Sequence, residues 1–404
     1  MSTTPLSDVV SSQYAKWMYP APILDLPDWL LNNWQWFDPS HAHRLFWPDR
    51  DDCPALDILI AGCGTNQAAV IAYTNPQSKV VAVDVSQPSL NHHQWLKSQY
   101  GLANLELHQL PIEQLPSLNQ EFDLIISTGV LHHLASPEVG IRALSQCLRR
   151  DGTMALMLYA KYGRLGVDML QALFRDWGLD QSEASVRAVR ELLTTLPSDH
   201  PVQSYINLAP DLNYDAGLVD TFLHGRERNY TVRECIELVA SANLVFQDFF
   251  LKSPYYPPPF SSMPVQGVSA NLSREQVWSA MELINFRNGC HFFTACRADR
   301  AVESYRIDFS SHDALSYVPQ LRYRCQLSGA QISRSDWSMN LEWLQSALLR
   351  HMDGRRTIQE IAAHALNSGE IPPQSPAAIE LLTKQLFQTL WQLDFVSMGL
   401  RKTS

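Results

Sequence analysis

Two glycines and an aspartate set the chemistry open to this chain. Gly62 and Gly64 flank Cys63, and Asp84 follows Gly62 by 22 residues. Without a Cβ, the glycines let a ligand approach the backbone closely and let the chain turn with positive φ. An acid at that separation accepts hydrogen bonds from ribose hydroxyls in doubly wound nucleotide folds. The trio is therefore expected to hold an adenosine. Its positioning requires a strand at Ile58–Ala61, a glycine turn, a helix, and a second strand at Val80–Val83 ending in Asp84, which the apolar runs supply.

The rest of the spacing narrows the nucleotide. A dinucleotide site uses a third glycine to pack its helix on its strand, and the register Gly62-Cys63-Gly64-Thr65-Asn66-Gln67 has none there. An NAD-linked dehydrogenase is weakened accordingly. A phosphate loop is excluded, because no Lys-Ser or Lys-Thr follows the turn. Further on, Glu121–Leu134 reads as a fourth strand running into a helix. Leu148–Thr153 then reads as a turn into a fifth strand, Met154–Tyr159.

This succession resembles the class I S-adenosylmethionine-dependent methyltransferases. Ala61-Gly62-Cys63-Gly64-Thr65 matches the family's first motif, Asp84 its ribose-binding acid, Phe122–Leu134 its fourth-strand motif, and Leu148–Thr153 the turn before strand five. The resemblance implies an α/β fold with a seven-stranded, mostly parallel Rossmann-like sheet. Its last strands would be Val245–Lys252 and His291–Arg297, preceded by helices at Thr231–Leu244 and Arg274–Arg287. It also implies S-adenosyl-L-methionine as cofactor and S-adenosyl-L-homocysteine as product. The expected cofactor residues are Gly62, Cys63, Gly64, Asp84, Val85, Ile112, Thr128 and Gly129. Two positions depart from the pattern. Asn66 stands at the usual third glycine, and Pro111 stands where the family often has an aspartate for the adenine amino group. Adenine recognition then falls to backbone near Ile112 or to Glu113. A non-catalytic scaffold of the same fold is the last alternative, supported by those two departures alone.

Methyl transfer from a sulfonium needs no acid for its neutral leaving group. It needs positioning, with reacting atoms about 3–3.5 Å apart, and a base where the nucleophile arrives protonated. His132 and His133 open the helix after strand four, and Tyr159 ends strand five; His132 and Tyr159 are the expected catalytic residues. Lys161 and Arg164 follow close by. Tyr19, or Tyr14, is expected to close over the cofactor; Tyr19 is also an expected substrate-binding residue, with Arg226 and Tyr230 in Phe222–Thr231, which would grip an anionic or polar substrate. No metal is expected, since Asp84, Glu113 and Asp123 are each explained otherwise.

At 404 residues the chain suits two domains or one enlarged domain. The expected order is an aromatic-rich helical cap at 1–50 and the methyltransferase domain at 51–298, with a helical lid insertion at 161–230. A polar linker at 299–320, a proline loop at Pro257-Pro258-Pro259, and a small winged-helix-like domain at 321–404 complete it. Long insertions in compact domains are usually lids or binding loops. The C-terminal pattern, with Thr357 as N-cap and Glu360 at its capping-box place, resembles PqqD-like peptide-binding modules. Its expected use is packing or a homodimer; recruiting a peptide substrate is the alternative. A net charge of −10 argues against nucleic acid as a partner. Seven cysteines without metal spacing fit a reducing, cytoplasmic setting, and no apolar run is long enough to span a membrane. The substrate expected is a small molecule.

Overall fold

Ile58–Ala61, Val80–Val83 and Leu124–Ile126 are completely buried, as strands covered on both faces by helices should be. In the computed structural model, which describes residues 5–51, 54–257, 271–373 and 375–401, they belong to one seven-stranded sheet. Its strands are β1 (Asp57–Ala61), β2 (Lys79–Asp84), β3 (Leu105–Gln109), β4 (Phe122–Thr128), β5 (Leu148–Tyr159), β6 (Leu244–Phe249) and β7 (Cys290–Arg297). They lie in the order β3-β2-β1-β4-β5-β7-β6. The pairs from β3 to β5 are parallel, and β7 runs antiparallel to both β5 and β6. Chain order reverses between β1 and β4, which opens a crevice at the carboxyl ends of the strands. The expected fold class is the one observed.

Strand β5 begins earlier than the sequence suggests. Phe122 pairs with Leu148 but Leu124 pairs with Thr153, so the stretch expected as a turn is an irregular strand. Gly152 sits inside it, where a Cβ would come within 3.0 Å of the Asp123 and Arg149 carbonyl oxygens. Arg149 then bridges Asp57 at 2.5 Å and Asp123 at 2.6 Å, fastening the starts of β1 and β4.

Two compact units form. The first holds Met1–Phe37, Pro54–Phe249 and Leu272–Asp299. Its insertion after β5 folds as helices Leu165–Asp176, Glu183–Thr195 and Asp215–Phe222, with the short helical turns Gln203–Ile206 and Pro210–Asn213 between the last two. They enclose a core of their own around Val167, Leu170, Phe174, Val189, Leu218 and Phe222.

The second unit gathers Asp38–Cys53, Phe250–Asn271 and Arg300–Ser404. The segment expected as a linker instead supplies Phe309, Ala314 and Tyr317 to its core. It also contributes strand β8 (Tyr317–Leu321), antiparallel to β12 (Val396–Leu400). The helix Pro39–Phe46, expected in the N-terminal cap, belongs to this unit as well: Phe46 is buried beside Phe250, and the Leu400 N–H reaches the Pro48 carbonyl. Between β8 and β12 come a three-stranded sheet of β9 (Gln326–Ser328), β10 (Gln331–Arg334) and β11 (Trp337–Asn340), then helices Trp343–Leu349, Ile358–Asn367 and Pro376–Gln392. The capping box at Thr357 and Glu360 forms as expected. Pro258 and Pro259 of the proline loop lie outside the described residues.

Asp394 ties this unit together. Only 4% exposed, it accepts the Lys252 and Ser253 N–H groups at 2.9 Å and the Arg322 guanidinium at 2.5 Å. Removing one partner of a buried, hydrogen-bonded charge pair costs about 3–5 kcal/mol. Asp394→Ala should therefore lower the stability of this unit by about that much in urea unfolding, and Asp394→Asn by less.

Candidate active site

A cavity of about 360 Å³ opens in the first unit at the carboxyl ends of β1, β2 and β4. That is within the usual range for small-molecule sites, roughly 300–1,000 Å³. Gly62, Cys63, Gly64, Asp84, Val85, Ile112, Thr128, Gly129, Tyr159, Tyr19 and Arg226 of the expected site residues all line it. His132 and Tyr230 do not.

The turn after β1 forms the floor. Gly62 has φ +80° and Gly64 φ +54°, a conformation that disfavours side chains. A Cβ on Gly62 would fall 2.4 Å from a Val130 methyl, and one on Gly64 would fall 3.1 Å from the Tyr19 carbonyl. The Gly62 and Cys63 N–H groups both reach the Val83 carbonyl. Asp84 then accepts the Gly64 N–H through one oxygen and the Ser86 N–H through the other, both at 2.8 Å. Burial pushes its carboxyl up to about 6, against the pull of those backbone bonds.

The two departures from the family pattern acquire reasons. Asn66 has φ −129°, so glycine's freedom is not needed there. Its amide instead holds the N-terminal segment, donating to the Ala21 carbonyl at 2.9 Å and accepting the Ile23 N–H at 3.1 Å. Near Pro111, Glu113 lines the cavity with one carboxylate oxygen buried and without a hydrogen-bond partner. A buried acceptor left unmade is costly, and an adenine amino group is one donor that would satisfy it. The turn, Asp84 and this orphaned oxygen together fit an adenosine.

The far end of the cavity is built by the N-terminal segment and the insertion. Tyr14 donates to Asp220 at 2.7 Å, Tyr19 to Asp211 at 2.7 Å, and Tyr159 to Asp220 at 3.3 Å. Arg226, expected to grip an anion, is already engaged: it pairs with Asp8 at 2.5 Å and donates to the His133 carbonyl. Arg164 is completely buried, paired with Glu227 at 2.9 Å and stacked 3.7 Å from the Tyr159 ring. Tyr230 is buried under Arg228, with its carbonyl bonded to His291.

His133 rather than His132 reaches the cavity wall. The two share the short turn Leu131–His133, which rotates neighbours to different sides; His132 stacks flat on Tyr159. Burial lowers both rings well below the ordinary histidine value. Burial and His132 also push His224 down to about 3. All three are therefore neutral near pH 7.

A ring nitrogen each from His133 and His224 and an oxygen of Asp220 lie within 4.8 Å of one another, close enough for a metal donor set. The backbone sets the tautomers differently. The Arg226 carbonyl accepts His133 Nδ1–H at 2.9 Å, leaving a lone pair on Nε2. The Arg226 N–H is donated to His224 Nδ1 at 3.0 Å, so His224 Nε2 carries the proton. One imidazole of the cluster thus presents a lone pair and the other an N–H. Asp220 lines the cavity although motif spacing passed over it; its one signal is an acid in a buried apolar stretch of helix, beside Leu218, Val219 and Phe222.

These contacts set an expected outcome for product binding. Charge-assisted hydrogen bonds from Asp84 to ribose hydroxyls are worth about 1.5–3 kcal/mol. Asp84→Ala should weaken S-adenosylhomocysteine about 10- to 150-fold in calorimetry. Because the ionised carboxylate is the acceptor, wild-type affinity should be flat above pH 6 and fall as pH drops through about 6. An unchanged dissociation constant in the variant would remove Asp84 from the site.

Known proteins agree with the geometry. A family model described as a methyltransferase domain matches residues 49–182. An uncharacterized protein of Synechococcus sp. is 26% identical over 330 residues, covering 79% of this chain and 78% of that one. A tRNA U34 carboxymethyltransferase of Saccharophagus degradans is 34% identical over 110 residues, which span 27% of this chain and 34% of that enzyme. The solved structure of PKMT2 from Rickettsia typhi in complex with AdoHcy shares the fold, with a TM-score of 0.65 and 14% identity over 90% of this chain and 75% of that one. Residues 49–182 carry a methyltransferase domain, on a fold shared with that AdoHcy-bound structure.

Proposed function

We propose that this enzyme methylates a small-molecule acceptor bound at the Tyr14–Tyr159 end of the cavity. The observation that carries the reading is the size and lining of that cavity, whose far end holds a hydrogen-bonded set of tyrosine, histidine and aspartate. When bound, S-adenosylmethionine supplies an activated methyl on a sulfonium. Asp84 would accept from the ribose hydroxyls and Glu113 from the adenine amino group. Thr128 and Gly129, at the end of β4, would lie beside the methionine portion, with Gln67 donating to the Thr128 hydroxyl at 3.1 Å. The N-terminal segment and the insertion exclude water, which strengthens electrostatic contacts inside. Among the described residues no helix is long and apolar enough to cross a membrane.

The alternative is a peptide acceptor. Of the named relatives only the tRNA enzyme's name states an acceptor, and mass separates the two readings. Incubation of cell extract with the protein and methyl-labelled S-adenosylmethionine should place label in the fraction passing a 3-kDa filter, a cut-off set by the roughly 300–1,000 Å³ typical of metabolite pockets. Label confined to the retained protein fraction would favour the peptide reading.

A further inference from the structure

Asp220 is a buried carboxylate without a cation. It is 1% exposed, and its hydrogen bonds come from two neutral hydroxyls, those of Tyr14 and Tyr159. The nearby arginines are committed elsewhere, Arg164 to Glu227 and Arg226 to Asp8. The cavity as a whole is lined by Asp8, Asp84, Glu113 and Asp220 against Arg226 alone among the strong bases. With Asp8 paired to Arg226, and Asp84 and Glu113 given to the cofactor, Asp220 is the acid left at the acceptor end, where it attracts a cation.

The Tyr14 hydroxyl links this carboxylate to the cavity. It donates to Asp220 at 2.7 Å and lies 3.3 Å from His224 Nε2, the nitrogen that carries the proton. A phenolic oxygen has one donor and two acceptor positions. One acceptor position faces His224, and the other is left for a donor arriving in the cavity, which Tyr14 lines.

We propose that Tyr14, backed by Asp220, takes the proton from a methyl acceptor that enters as an ammonium ion, making this enzyme an amine N-methyltransferase. The ammonium donates to the Tyr14 oxygen. Its proton passes to that oxygen while the Tyr14 proton passes to Asp220, leaving a neutral amine with a free lone pair. That lone pair forms the new C–N bond as the methyl carbon's bond to sulfur breaks, its electron pair remaining on sulfur. The products are an N-methylammonium ion and a neutral thioether. Asp220 returns its proton to solvent when the product leaves. Tyr14 touches the substrate; Asp220 acts through it. The inference rests on the methyltransferase reading above.

Burial pushes Asp220 up to about 7, with the Tyr14 bond lowering it and Glu227 and Asp211 raising it. The groups facing it are Tyr14 from the N-terminal helix, Tyr159 from β5, Arg164 and Glu227 flanking the insertion, Asp211 from the preceding turn, and His133 and His224. The acceptor form is the carboxylate, so turnover of an amine should be full above pH 7 and fall below it. Stability runs the other way. A carboxyl with its folded value raised from 3.8 to about 7 loses stabilisation as pH rises through that window. Asp220→Asn should therefore raise the melting temperature more at pH 8 than at pH 5, while lowering turnover.

The test uses the full chain with labelled S-adenosylmethionine and four probes: n-butylamine, a lysine-containing peptide, p-cresol and butyrate. An amine should gain one methyl on nitrogen, the first two probes deciding between a free amine and a lysine side chain. Asp220→Asn should cut kcat/KM about 100-fold and abolish the acidic limb of its pH profile, in line with the 10²–10⁴ typical of general-base catalysis. Tyr14→Phe should do likewise, and Asp220→Glu should restore part of the rate. S-Adenosylhomocysteine affinity should stay within about twofold throughout, which also reports whether the Asn variant has folded. Methylation of p-cresol or butyrate but of neither amine would overturn the proposal, as would an unchanged pH profile in both Asp220→Asn and Tyr14→Phe. If the wild-type chain fails to bind S-adenosylhomocysteine, the methyltransferase reading itself falls first.

Discussion

The hydrogen bond from the Gly64 N–H to the Asp84 carboxylate, at 2.8 Å, is the constraint on which the site depends. It joins the turn after β1 to the end of β2 and fixes the glycine turn in its left-handed conformation. The same turn carries Thr65, whose hydroxyl donates to the Pro20 carbonyl, and Asn66, which holds Ala21 and Ile23. Floor and roof of the cavity thus share one anchor. Displacing Asp84 would disturb the nucleotide end directly and the N-terminal roof through it.

Charge is organised around that frame with unusual economy. Buried ion pairs rarely add stability over apolar packing, and losing one partner is costly. In the first unit Arg164 and Glu227 satisfy each other and brace Tyr159 from behind, while Arg226 and Asp8 close the side of the cavity. These pairs leave the tyrosine rings and hydroxyls fixed in place. Preorganised dipoles of this kind do not have to reorient during reaction.

Much of the sheet was legible because its signals are local. Apolar runs, the Gly62–Gly64 turn and the Thr231 and Thr357 caps each lie within a few residues. What escaped depends on long-range packing. The helix Pro39–Phe46 reads as part of an N-terminal cap, yet its buried face is completed by residues some 200 to 350 positions later, Phe250 and Gly399 among them. The stretch 299–320 is polar enough to read as a linker, but Phe309, Ala314 and Tyr317 are spaced to reach a core no local pattern reveals. At the site, neighbouring histidines differ only by a rotation of one short turn, and sequence cannot set that angle. Asn66 departs from a glycine position in the motif, and its side-chain bonds to the N-terminal segment, which no local pattern reveals, are what it contributes instead.

The attachment of the roof has a kinetic meaning. Residues 20–23 are fastened to the floor by hydrogen bonds to Thr65 and Asn66, and Tyr14 and Tyr19 fasten the same segment to the insertion. At about 0.5–1.5 kcal/mol net for each such bond, unlatching the segment is a local opening event well short of global unfolding. Were that event to gate the cavity, ligand entry and product release would follow its frequency. Turnover would then be governed by residues 14–23, the same stretch that carries the proposed proton acceptor Tyr14.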